Sequence, residues 1–230
     1  MSGSRSLPRA EISARAVREA AEAAVAAGGV VADLRGDAYG HGVAETARVV
    51  TDAGVRAVLV DDARTVESLA ASGIRAVTDG EADIAPEALY GLPGAEDSRT
   101  PAMRLAGRVL SVKRMLAGEA VSYGYTHRAT VDTTTALVTG GYAQGVVRAL
   151  GNHARVEIDG VLRPIIGRVA MDVCVVDLEG AHAEEGTDVI YFGGTGPARD
   201  ALADWARITG LRPTELVAVA GAKAVREWRA

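Results

Sequence analysis

Val30-Val31-Ala32-Asp33-Leu34-Arg35-Gly36-Asp37-Ala38-Tyr39-Gly40-His41-Gly42 is the stretch on which the reading of this chain turns. Val30 to Leu34 is a short apolar run, the pattern of a buried strand, and it opens into a Gly/His/Tyr turn ahead of a helix-like segment, Val43 to Ala53. A strand, a loop and a helix in that order put Arg35 and Tyr39 at the C-terminal end of a strand, where βα barrels carry their chemistry. The neighbouring segments keep the rhythm. Ala10 to Ala27 has helical spacing, Val55 to Val60 reads as a strand, Thr65 to Ala71 as a helix and Ile74 to Val77 as the next strand. Alternation of this kind predicts parallel βα units joined by right-handed crossovers.

The rhythm then breaks. Asp79 to Pro86 and Pro93 to Pro101 are rich in turn residues, and from Met103 onward the chain predicts alternating strands separated by Gly-containing turns. Strands are expected over Arg104 to Lys113, Arg128 to Val138, Arg155 to Ile158, Arg163 to Val169, Asp172 to Asp177 and Asp188 to Phe192. Terminal helices are expected over Arg199 to Thr209 and Pro213 to Arg226. The fold class is thus α/β plus β: an α/β region over 1–95, then a mostly antiparallel β domain over 96–230.

Composition narrows the function. At 230 residues and 48% hydrophobic content the chain has enough apolar surface for a real core. The net charge of −5 has no basic stripe, which argues against nucleic acid or an anionic membrane as partner and for small molecules or proteins. No apolar run approaches the ~20 residues of a membrane-spanning helix, and Met1 to Ala10 lacks the apolar core of a signal peptide, so cytoplasm is the expected compartment. Cys174, alone within the apolar run Val169 to Leu178, reads as a small packing hydrophobe.

The Ala38-Tyr39-Gly40-His41-Gly42 stretch resembles the pyridoxal-phosphate signature of the alanine racemases, in which a lysine stands four residues before the tyrosine. Here that position is Arg35. The resemblance continues in the family's order through Met103-Arg104-Leu105, Gly118 to Gly124, Gly141-Tyr142-Ala143, Arg148 to Asn152 and Val169-Ala170-Met171-Asp172. Pro8 to Ile74 looks like the start of the racemase barrel and Pro86 to Gly91 like its last segment, with the middle absent. About 95 residues cannot close an eight-stranded barrel, which typically takes ~250. A truncated βα-barrel fragment with an open parallel sheet of three or four strands is expected, followed by a racemase-like antiparallel β domain.

What the resemblance implies for the site is mixed. Tyr123 matches the family's second catalytic base, supplied across a dimer interface. Tyr39 matches a cofactor-binding position, and Tyr142, Met171 and Asp172 match substrate-binding positions. The departures are as specific. Arg35 cannot form an internal aldimine, because a guanidinium stays protonated with a pKa above ~12, and it cannot serve as the general base for the same reason. The chain's other amines, Lys113 and Lys223, lie outside the motif. Ala85 stands where the family places the arginine that faces the cofactor ring nitrogen, Trp228 where it has a tyrosine, and Gln144 where it has an acid. Indole donates a hydrogen bond but accepts none.

Other apparent sites are weaker. Asp79-Gly80-Glu81-Ala82-Asp83 lacks the sixth-position glycine of a calcium loop and reads as a solvated turn. Gly193-Gly194-Thr195-Gly196-Pro197 has no following lysine, and Pro197 removes an N–H, so it reads as a connection into the next helix. His41, His127, His153 and His182 lack metal-ligand spacing, and no metal is implied.

The leading expectation is a degenerate racemase, with pyridoxal phosphate implied by resemblance but covalent binding absent, kept to bind a small amino acid, a phosphate compound or a full-length racemase. The alternative is an active pyridoxal-phosphate racemase interconverting L- and D-alanine, its amine supplied by Lys223 or a partner chain. A structural or interaction module is the third reading. A homodimer is expected in each case, because a truncated sheet leaves strand edges to cover.

Overall fold

The computed structural model describes residues 7–95, 100–122 and 124–230. They form two compact units, one made of 11–103, 213–222 and 226–230, the other mainly of 104–212.

The described chain begins with β1 (Arg9–Ser13), whose Ala10 and Ile12 are buried in strict alternation and of which Glu11 to Ser13 fall in the first unit. Ser13 then turns the chain into α1 (Ala14–Ala26) by accepting the Ala16 N–H at 3.1 Å. The single helix expected from Ala10 is therefore a strand and a helix, separated where the apolar period changes from two to 3.6. β2 (Val31–Asp33) follows, then a short turn α2 (Arg35–Tyr39), α3 (Val43–Asp52), β3 (Ala57–Leu59), α4 (Ala63–Ala70), β4 (Ala76–Val77) and α5 (Pro86–Tyr90). Asp62 caps α4 by accepting the Thr65 N–H at 2.8 Å.

β2, β3 and β4 make a three-stranded parallel sheet in that order, with Val31 opposite Ala57 and Val58 opposite Ala76. Ile84 adds a parallel bridge to Ala32 on the other side of β2. Asp83 secures that bridge, its Oδ1 accepting the N–H groups of Val30 at 2.8 Å and Val31 at 2.7 Å. The carboxylate that the sequence offered as one corner of a calcium loop is thus committed to the backbone.

The second unit is a closed antiparallel barrel. Its strands are β5 (Met103–Met115), β8 (Thr133–Thr139), β9 (Arg155–Ile158), β10 (Val161–Ile166), β11 (Val173–Asp177) and β12 (Asp188–Phe192), with a small hairpin of β6 (Ala120–Val121) and β7 (His127–Arg128) between β5 and β8. Around the barrel the order is β12-β9-β10-β11-β8-β5, and β12 pairs back onto β5. A register shift between Val109 and Ser111 divides β5 between two partners, β12 for its first half and β8 for its second. The predicted strand Arg128 to Val138 is interrupted at Asp132, whose carboxylate accepts the Ala117 N–H at 2.9 Å and pairs with Arg114 at 2.7 Å. The strand expected to run to Val169 stops at Gly167, which has φ +71°.

The barrel core holds Leu105, Val138, Val156, Ile165, Val176 and Tyr191. Helix α6 (Ala201–Thr209) contributes Trp205, whose ring stands edge-on to Phe192 at 5.3 Å and Tyr191 at 6.1 Å. The chain ends in α7 (Pro213–Lys223) and β13 (Val225–Arg229), a strand where the sequence suggested the end of a helix.

Candidate functional site

Two groups of residues carry the family-matching positions. The first surrounds Arg35 at the C-terminal end of β2. Gly36, Asp37, Ala38 and Tyr39 have φ of 62°, 54°, 55° and 50°, and Gly40 follows at 79°, so five consecutive residues lie in the left-handed region. For residues with a Cβ this costs roughly 1–2 kcal/mol each, which local contacts must offset. Those contacts are specific. Gly36 N–H donates to Asp61 Oδ2 at 2.7 Å, and Gly42 N–H donates to the Asp37 carbonyl at 2.9 Å. Asp37 Oδ1 accepts the Val43 N–H at 2.8 Å, while its other oxygen pairs with Arg226. On the far side Gly40 lies against the backbone of Val217 and Ala218 in α7, with no room for a side chain.

Within this turn the half-exposed Arg35 side chain folds back onto Asp33. Its Nε donates to Asp33 Oδ1 at 2.9 Å and its terminal nitrogen to Asp33 Oδ2 at 2.6 Å, a two-pronged pair with a side chain only 7% exposed. The Arg35 N–H donates to the same Oδ1 at 3.1 Å, and the Tyr39 hydroxyl to Oδ2 at 2.9 Å. Burial by itself would raise the Asp33 pKa, but these hydrogen bonds and the Arg35 charge hold it below the ordinary carboxylate value. The same pair raises the Arg35 pKa further. Burial, then the Asp33 carboxylate, push the Tyr39 phenol up to about 12. Asp33, Arg35, Leu59, Glu81, Ala85 and Pro86 line one cleft, so Ala85 and Arg35 are brought together. Behind them His41 stacks on Tyr90 with ring centroids 3.9 Å apart, and its Nδ1 donates to the Ala38 carbonyl at 2.9 Å.

The second group belongs to the barrel. The Tyr142 N–H donates to the Ala170 carbonyl and the Ala143 N–H to the Met171 carbonyl, both at 2.9 Å, which joins the Tyr142 turn to the Met171–Asp172 loop. Gln144 Nε2 donates to Asp172 Oδ1 at 3.4 Å, and Gln144 Oε1 accepts the Gly140 N–H at 3.1 Å. Tyr142 is 42% exposed and Met171 55%, and the Arg148 guanidinium lies 5.8 Å from the Tyr142 ring centre. Tyr123 lies outside the described residues; on the strand side of it, Ser122 Oγ donates to the Arg168 carbonyl at 2.5 Å. Trp228 is half-buried on β13.

The glycine loop before α6 is also accounted for. Glu157 accepts the Ala198 N–H at 3.0 Å, and its carboxylate fills the space beside Gly196 that an anion would need.

A parallel βα segment carrying a Tyr-Gly-His-Gly turn, followed by a six-stranded antiparallel barrel, is the build of a two-part racemase. Residues 102–228 match the family model described as alanine racemase, C-terminal domain, and the chain belongs to the alanine racemase family. An alanine racemase of Corynebacterium efficiens is 44% identical over 122 residues, covering 51% of this chain and 33% of the relative, and one of Mycobacterium avium is 38% identical over 148 residues, covering 62% and 38%. The match therefore spans about a third of the length of these curated relatives. Among solved structures, alanine racemase from Streptomyces coelicolor superposes with a TM-score of 0.83 at 20% identity over 97% of this chain and 98% of that one. An alanine racemase of Bartonella henselae with covalently bound pyridoxal phosphate gives 0.79 at 17% identity, over 97% and 99%. At these identities the superpositions establish the fold.

Sequence reasoning passed over Asp33 and Asp61. For Asp33 a signal was present: it stands two residues before Arg35 at a strand end, and positions i and i+2 share a face. Asp61 gave none, because its tie to Gly36 depends on two strands lying side by side.

Proposed function

We propose that this chain is a racemase-like scaffold that does not form the pyridoxal-phosphate aldimine and persists as a homodimeric ligand-binding or interaction module. The observation that carries this reading is the two-pronged Arg35–Asp33 pair. The motif position that must offer a deprotonated amine holds a guanidinium fixed in its charged state. The residues around it do not suit the cofactor either: the Tyr39 hydroxyl already donates to an internal carboxylate, and Ala85 offers the cleft no charge or hydrogen bond from its side chain. A small amino acid or a phosphate compound held by the Tyr142, Met171 and Asp172 group is the ligand class this reading favours, and a full-length racemase is the alternative partner.

The test is borohydride reduction of the purified protein after incubation with pyridoxal phosphate, followed by peptide mapping. Low, scattered labelling is expected. Stoichiometric modification of Lys223, or saturable modification of Lys113 in the folded protein, would overturn the proposal in favour of an active racemase with its amine supplied elsewhere.

A further inference from the structure

Successive backbone N–H groups at the entry to a left-handed turn, a tyrosine hydroxyl and a guanidinium make a set of donors suited to an anion. Here every one of them is turned on a carboxylate of the chain itself. Arg35 N–H, Arg35 Nε, the Arg35 terminal nitrogen and the Tyr39 hydroxyl all donate to Asp33, and the Gly36 N–H donates to Asp61. We propose that the turn is an anion site filled from within, and that Asp33 is the residue that excludes an external phosphate from it. This rests on the reading that the chain forms no aldimine, and deepens it by naming a second barrier besides the missing lysine.

The physical argument has two parts. A phosphate approaching the Tyr39 hydroxyl finds that donor and the Arg35 guanidinium already committed to the Asp33 carboxylate, so it would have to displace that carboxylate and then sit as a second anion a few ångströms from it. An amine placed at position 35 would inherit the Asp33 carboxylate as its ion-pair partner. It would be held as an ammonium, which cannot attack an aldehyde. Restoring the lysine alone therefore leaves both obstacles standing, since phosphate entry and amine deprotonation each depend on Asp33.

Four proteins separate these effects: the unmodified chain, Asp33→Asn, Arg35→Lys and the double variant Asp33→Asn/Arg35→Lys. Pyridoxine 5′-phosphate has the phosphate but no aldehyde, so its binding, followed by equilibrium dialysis, reports charge exclusion without covalent chemistry. Asp33→Asn keeps the shape and the acceptor for Tyr39, and is expected to bind pyridoxine 5′-phosphate roughly tenfold or more tightly than the unmodified chain. With pyridoxal 5′-phosphate, only the double variant is expected to give a visible aldimine band and a borohydride-stable label at position 35. Asp33→Ala serves as a second charge-removing variant should Asp33→Asn lose its circular-dichroism melt. Equal pyridoxine 5′-phosphate binding with and without Asp33, or full aldimine formation by Arg35→Lys alone, would overturn the role of Asp33. Labelling of a lysine in the unmodified chain would instead overturn the underlying reading of an aldimine-free protein, and the peptide map distinguishes the two.

Discussion

Gly221, on the last turn of α7, lies directly against the carbonyl of Gly40, so close that a Cβ on Gly221 would overlap the Gly40 oxygen. Residues 181 positions apart in sequence thereby fix the Tyr-Gly-His-Gly turn from behind, and they explain why the C-terminal helix belongs to the unit that carries Arg35. Gly221→Ala is expected to force the two backbones apart and to destabilise this unit by about 1–3 kcal/mol, the usual cost of overpacking. The measurement is the urea unfolding midpoint, with the slope unchanged. A midpoint equal to that of the unmodified chain would show that the contact is loose enough to absorb a methyl group.

His41 should make stability depend on pH. It is completely buried, and burial, outweighing the hydrogen bonds from its ring to the Ala38 and Tyr39 carbonyls, pushes its pKa down to about 4 from 6.5. Between those values the unfolded chain binds the proton and the folded chain does not, so this contribution is complete above about pH 6.5 and is lost as pH falls toward 4. The integrated effect is of the order of 3 kcal/mol. His41→Phe can retain the ring stack on Tyr90 while removing the titration. It is expected to lower stability at pH 7, through loss of the Nδ1 hydrogen bond, and to flatten the slope between pH 4 and 6.5. An unchanged slope in His41→Phe would assign the acid sensitivity to the carboxylates.

Much of this was legible in the sequence because it depends on short-range patterns. The βα order and the apolar runs of the barrel strands follow from periodicity, and the Tyr142 and Met171–Asp172 stretches, which the sequence links only through the resemblance, meet in the fold. What escaped depends on encounters at long range. The first two residues of β13, Val225 and Arg226, extend the helical pattern of α7 because Val225 to Arg229 has too few apolar residues to establish a period, and Asp37, which pairs with Arg226, lies 189 residues away. The left-handed turn was equally hidden, since Asp37, Ala38 and Tyr39 adopt positive φ only because Asp61, Val43 and α7 hold them there. Asp33 is the middle case, readable from its spacing to Arg35 and overlooked because it sat inside an apolar run.

Cys174 provides a reporter of barrel opening. Its thiol is buried, 3.3 Å from the Tyr191 hydroxyl, and burial pushes its pKa up to about 12. Iodoacetamide at pH 8 is therefore expected to leave it unmodified in the folded protein and to label it fully in denaturant. Tyr191→Phe removes the hydrogen bond that the hydroxyl donates to the Thr139 carbonyl at 2.6 Å and leaves that buried acceptor without it, a loss of about 1–3 kcal/mol. Labelling of Cys174 should become correspondingly faster in that variant. Rapid labelling of the unmodified protein would contradict the buried thiol.

Assembly is the remaining prediction. Among the described residues the parallel sheet ends at β4, which pairs with β3 on one side, and the barrel exposes Met171 and also Tyr142, whose ring lies under the Arg148 guanidinium. A terminal strand, an exposed tyrosine under an arginine and an exposed methionine are features that association covers, and Tyr, Met and Arg are enriched where it does. The chain is expected to be a homodimer at low micromolar concentration, with the Met171 face in the interface. Light scattering across a dilution series measures the stoichiometry. Met171→Asp should weaken association roughly tenfold or more by placing a charge in the buried part of the contact, without lowering the thermal midpoint of the dissociated protein. A stable monomer at these concentrations would reject the dimer, whereas a dimer indifferent to Met171→Asp would move the interface elsewhere, to the β4 edge, where Val77→Pro is the corresponding test.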